Sequence, residues 1–123
     1  MDRAGAAAWM DRYRDAWISN DPDQVRALFT EDAMYGVSPW KEPWTGREEI
    51  VRRWTSEAQQ DVRLDYEVLA VEGDLAAIHW HVHAREAGDP VAIEYDGVLT
   101  ARFAADGRCA EHREWFSRRP LED

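Results

Sequence analysis

The chain has 123 residues, the length of one domain, and is expected to form one unit over 1–123. Fifteen Lys+Arg against twenty-five Asp+Glu leave a net charge of −10, and Lys41 is the lone lysine. An acidic chain without a basic stripe is a poor partner for nucleic acid or an anionic membrane, since both attract Lys and Arg.

Seven tryptophans and 45% apolar residues set the chain apart from disordered sequences. Its apolar runs are too short to span a bilayer. The segment Met1-Asp2-Arg3-Ala4-Gly5 lacks the pattern of a signal peptide, and the lone Cys109 has no internal disulfide partner. Both features lead to the expectation of a cytoplasmic protein.

Along the chain the period of the apolar residues changes once. From Ala4 to Ser19, Ala6, Trp9, Tyr13, Ala16 and Trp17 recur at steps of three and four and predict an amphipathic helix. Asn20-Asp21-Pro22-Asp23 stops it and starts a second, short helix, with a capping side chain, a proline in the first turn and an acid at the positive end of the dipole. Val25, Leu28 and Phe29 are expected on its buried side. Ala33–Val37 reads as a strand, broken by Ser38-Pro39 and Glu42-Pro43. Thr45-Gly46-Arg47-Glu48 has the form of a capping box, with Thr45 as cap, and predicts a third helix carrying Ile50, Trp54 and Ala58. After about Asp61 the period is two. Strands are expected at 64–72, 75–86, 91–104 and 108–118, with turns at Gly73-Asp74, Gly88-Asp89-Pro90 and Asp106-Gly107. Helices followed by an antiparallel meander predict an α+β domain, three helices on one face of a curved sheet.

The segments Tyr13-x-x-Ala16-Trp17, Asn20-Asp21-Pro22-Asp23 and Leu28-Phe29-Thr30-Glu31-Asp32-Ala33 resemble the opening of the NTF2-like superfamily. Ser38-Pro39-Trp40, Gly46-Arg47-Glu48-Glu49-Ile50, Val71-Glu72-Gly73-Asp74 and Arg113-Glu114-Trp115-Phe116 extend the likeness over residues 9 to 119, and toward the SnoaL-like group of bacterial proteins. The resemblance implies a cone-shaped sheet, antiparallel or mixed, that encloses a pocket with the helices, and a homodimer formed through the sheet. It also implies a range of roles, because the superfamily includes ketosteroid isomerase, scytalone dehydratase, limonene epoxide hydrolase, polyketide cyclases and non-catalytic binding modules.

Carried over by residue, the isomerase's oxyanion tyrosine falls on Tyr13. Its base and second acid fall on Val37 and about Leu99, and its other pocket tyrosines near Phe29 and Trp54. The epoxide hydrolase's last-strand acid falls on Glu114, but its Arg-x-Asp strand reads Ile78-His79-Trp80-His81-Val82. Steroid isomerisation and epoxide hydrolysis by those mechanisms are therefore not expected.

On the last strand Ala110, His112, Glu114 and Phe116 are expected to share the pocket-facing side. A carboxylate beside an imidazole can act as a base, with Tyr13 donating to a developing oxyanion. In the structural alternative Glu114 pairs with Arg113 or Arg102, and His112 is a half-buried histidine with its bonds satisfied. Trp17, Tyr35, Trp80 and Tyr95 are expected in the pocket wall, with Val37, Trp54, Phe29, Leu99 and Phe116. Trp40 and Trp44 bracket a Pro-rich loop placed for a lid or a hydrophobic plug. Trp115 and Cys109 are expected on the opposite face of the sheet.

His79, His81 and His83 alternate on one strand, with Glu94 or Asp96 available next door. The core parity of Ile78, Trp80 and Val82 turns these histidines outward, onto a solvent or dimer face. There they read as metal ligands or as a pH-sensitive contact, and neither a bound metal nor an organic cofactor is expected. The function expected is cofactor-free acid/base chemistry (cyclisation, isomerisation, dehydration or hydrolysis) on a small hydrophobic or aromatic molecule. The alternative is a non-catalytic ligand-binding or dimerising module.

Overall fold

In the computed structural model, which describes residues 1–56 and 58–121, the elements run α1 (Arg3–Ser19), α2 (Pro22–Arg26), β1 (Phe29–Gly36), β2 (Trp44–Thr45), α3 (Arg47–Thr55), β3 (Gln59–Glu72), β4 (Leu75–Glu86), β5 (Ala92–Phe103) and β6 (Cys109–Pro120). The strands form one mixed sheet in the order β2-β1-β6-β5-β4-β3, antiparallel except where β1 runs parallel to β6. The helices pack on one face of the sheet, as expected of an α+β domain. Among the described residues no helix is long and apolar enough to cross a membrane.

Local chemistry accounts for the helix starts. Asp2 accepts from the Gly5 amide at 2.7 Å, and Asn20 closes α1 with φ 55°. Asp21 caps α2 through the Asp23 amide at 2.8 Å, with Pro22 in the first turn. The third helix departs from expectation. Its N-cap is Gly46, at φ 90°, with no side-chain cap bond. Thr45 is instead held in β2 opposite Met34, and Arg26 of α2 takes Glu48 at 2.9 and 3.0 Å. That bidentate pair draws away the side chain a capping box would need. Helix α3 ends at Thr55, so Ala58 lies outside it, next to the start of β3.

The core is built around α1. Trp9 is fully buried, donates to the Leu28 carbonyl at 3.1 Å, and meets Tyr13, Phe29 and Phe103 at ring separations of 5.2, 6.1 and 5.4 Å. Phe29 and Leu28 fall outside α2; Phe29 begins β1, where its side chain is fully buried.

Two irregularities set which side chains face inward. Phe103 pairs with Cys109 and Arg102 with Glu111, leaving Ala110 as an extra residue, a β-bulge. The bulge flips the parity, so Cys109 points into the core with His112 and Glu114, and Ala110 does not share their register. The buried Cys109 thiol is pushed up to about 12. At Gly97, an added Cβ would sit 2.4 Å from the Trp115 carbonyl oxygen and 2.6 Å from Phe116 Cβ. Because this row lacks a side chain in the middle, Trp80 and Phe116, its neighbours on either side, meet at 5.7 Å.

Candidate active site

Between the inner face of the sheet and the helices lies a cavity of about 250 Å³. Its floor is made of side chains under 8% exposed: Tyr13 from α1, Tyr35 from β1, Trp80 from β4, Tyr95 from β5 and Glu114 from β6. Trp17, Val37, Trp44 and Trp54 continue the wall, and Phe116, 43% exposed, stands at the rim.

Glu114 is the acid at the bottom. Arg113 pairs with Glu111 at 3.0 Å and Arg102 with Asp74 at 2.7 Å, so neither neutralises it. Burial pushes its carboxyl up to about 8, against a weaker pull from a Tyr35 hydrogen bond. The Tyr35 and Tyr13 hydroxyls bond each other at 2.9 Å. Both phenols are held well above their ordinary range, first by burial and then by the nearby Glu114 charge. The acid therefore faces a relay of two hydroxyls that stay protonated.

His112 is placed differently from the sequence-based expectation. It makes no hydrogen bond with Glu114, and it is fully buried under the cavity rather than half-buried. Tyr35 stacks on it at 4.1 Å and 9°, and Tyr13 lies nearly parallel at 5.7 Å. Trp44 stacks on the far face of Tyr35 at 4.9 Å, so aromatic rings cross strands β2, β1 and β6 in file. Among the described residues neither ring nitrogen of His112 has a partner, and burial pushes the imidazole down to about 3. The ring is uncharged at neutral pH and packs face to face against Tyr35. The expected pairing fails because side chains two apart on a strand lean along parallel lines, and the Tyr35 ring fills the space beside His112.

Phe29 and Leu99 are likewise corrected from wall to core: both are fully buried and neither reaches the cavity. Trp40 covers nothing, at 92% exposed, whereas Trp44 at the other end of the loop is part of the wall. Trp115 lies on the outer face, 44% exposed.

The cavity also gains polar residues that no local pattern along the chain points to. Asn20, which caps α1, donates to the Thr55 carbonyl at 3.3 Å. Gln59 accepts from Trp17 Nε1 at 2.7 Å and donates to Glu86 at 3.0 Å and to the Tyr95 hydroxyl at 3.3 Å. Arg53, held by Glu49 at 2.9 Å, completes the rim. Asn20 and Arg53 read locally as a cap and a surface charge. Gln59 lies ahead of the expected strand start, so its alternation carried no signal.

The architecture and cavity together define an NTF2-like domain. The SnoaL-like domain profile matches residues 10–112, and the chain belongs to that family. No curated protein matches the sequence. Among solved structures, it is similar to SalBIII, described as an epoxide hydrolase/cyclase-like enzyme in pyran ring formation (TM-score 0.79, 15% identity, 98% of each chain covered). It is similar to a type 2 hexachlorocyclohexane dehydrochlorinase, LinA (TM-score 0.80, 11% identity, 98% of this chain and 88% of that one). A third is an LEH-like epoxide hydrolase from Mycobacterium tuberculosis (TM-score 0.72, 16% identity, 93% and 84%). Identities this low establish a shared fold alone.

Proposed function

We propose that the protein is a small-molecule enzyme that performs cofactor-free acid/base chemistry on a hydrophobic or aromatic substrate held in the cavity. The reading rests on one observation: Glu114 lies, without a cation, at the floor of an aromatic cavity and faces the Tyr35–Tyr13 hydroxyl pair. A carboxyl with a pKa of about 8 has roughly ten protonated copies per ionised one at pH 7. Both forms are thus present near neutrality, which suits a group that gives a proton in one step and takes one in the next. Glu114 is the proton carrier. Tyr35, backed by Tyr13, donates a hydrogen bond to the oxygen on which negative charge grows. Trp17, Trp54 and Trp80 bind the flat apolar part of the substrate and keep water from the acid. Isomerisation, dehydration, cyclisation and ring-opening hydrolysis all fit this equipment. The printed descriptions of the similar structures, a cyclase-like enzyme, a dehydrochlorinase and an epoxide hydrolase, fall within related chemistry and support the reading.

The test is a panel of cyclic ketones, epoxides and aromatic polyketide-like compounds, screened by quenching of tryptophan fluorescence and then by mass-resolved turnover. For a turned-over compound, Glu114→Gln should lower kcat by about 100-fold or more while binding persists. Undiminished turnover in that variant would refute the assignment. Tight binding with no turnover across the panel would favour the ligand-binding alternative.

A further inference from the structure

On the outer face of the sheet, away from the cavity, His81 and His83 of β4 both direct Nε2 at a single oxygen of Glu94 on β5. The separations from Oε2 are 3.0 Å for His81 and 2.9 Å for His83. The other Glu94 oxygen, Oε1, is taken by Arg119 of β6 at 2.6 Å. We propose that His81, His83 and Glu94 form a binding site for a divalent transition-metal ion of the zinc class, one per chain, with a fourth position open to water.

Strand geometry assembles the group. His83 stands directly opposite Glu94 and His81 two residues along on the same face, so both rings overhang the same carboxylate. All three ligand atoms lie within 4.8 Å of one another. A tetrahedral ion at about 2.0–2.1 Å from each donor needs donors about 3.3 Å apart. The two separations to Oε2 are within about 0.4 Å of that edge. An ion can therefore replace the two hydrogen bonds through small side-chain rotations, with the backbone unmoved.

The surroundings suit a ligand set. Arg119 fixes the carboxylate through the oxygen that is not needed, an outer-shell role that leaves Oε2 as the single donor. His81 also has Asp65 opposite it on β3 and Asp96 opposite it on β5, so further negative charge flanks the site. Two imidazoles and one carboxylate with an open position favour zinc, and also cobalt, nickel or copper, over magnesium or calcium. His79 is not a member, because it bonds Asp96 at 2.8 Å.

The test uses untagged protein stripped with a chelator and titrated with Zn²⁺ by calorimetry, and with Co²⁺ by visible absorption. One zinc per chain and an intense tetrahedral cobalt spectrum are expected. Glu94→Gln and His83→Gln, checked for folding by circular dichroism, should each weaken zinc binding more than about tenfold, the lower range of losses seen when outer-shell partners are removed. His79→Gln should leave it unchanged. No zinc uptake by the wild type, a pale octahedral cobalt spectrum, or undiminished binding by a folded His83→Gln variant would each overturn the proposal.

Discussion

Replacing Glu114 by glutamine keeps the side chain's size and removes its titration, so the pair of proteins isolates what the buried acid does to stability. The folded-state value of about 8 lies above the ordinary 4.5. Between those values the native state holds a proton that the unfolded chain has released, so native stability falls as pH rises. At 1.36 kcal/mol per pH unit the full penalty is about 5 kcal/mol, an upper figure because water entering the cavity shelters the anion. The assay is urea unfolding from pH 4 to 9 for both proteins, with the difference between them plotted, so that titrations elsewhere cancel. The wild type should lose stability relative to Glu114→Gln from about pH 4.5 and level off above about 8. A flat difference, or a wild type that gains relative stability with rising pH, would refute the reasoning and place the acid in contact with water or a cation.

His112 imposes the opposite slope. Its value of about 3 lies below 6.5, so stability is lost as pH falls from 6.5 toward 3, and His112→Phe should remove that acid limb in the same urea series. Gly97→Ala should cost about 1–3 kcal/mol, because the new methyl meets backbone at 2.4 Å with no flexible side chain to yield; a melting temperature within 1 °C (about) of wild type would contradict it. Cys109, buried and pushed up to about 12, should resist a thiol reagent at neutral pH and react only at the rate of unfolding; prompt labelling of native protein would show the opposite.

Elements set by near neighbours were legible in the sequence. The Asp21 cap and the turns after Glu72 and at Asp106-Gly107 depend on residues two or three positions apart, and the period-two pattern marked β4 at 75–86. Features set across the fold were not. The capping box at Thr45 loses to Arg26, which reaches Glu48 from another helix. The bulge at Ala110 turns Cys109 inward, and alternation counted along the strand has no sign of it. At the site, Tyr13 and Glu114 followed from the family resemblance, and the aromatic wall followed from core-facing parity. Their connection through Tyr35 depends on a parallel pairing of β1 with β6 that no local pattern encodes.

The loop from Val37 to Pro43 leaves the sheet at Gly36 and rejoins it at Trp44, and Tyr35 and Trp44 are paired across that gap. Both ends are thus clamped by the sheet, independently of what the loop contains. Each doubling of its length would cost only about 0.6 kcal/mol in closure entropy. The loop can therefore be rebuilt, lengthened or shortened while the acid and its two tyrosines keep their positions. For an engineer the loop is a place where length and sequence can be varied, with the proton chemistry left as a fixed module in the sheet.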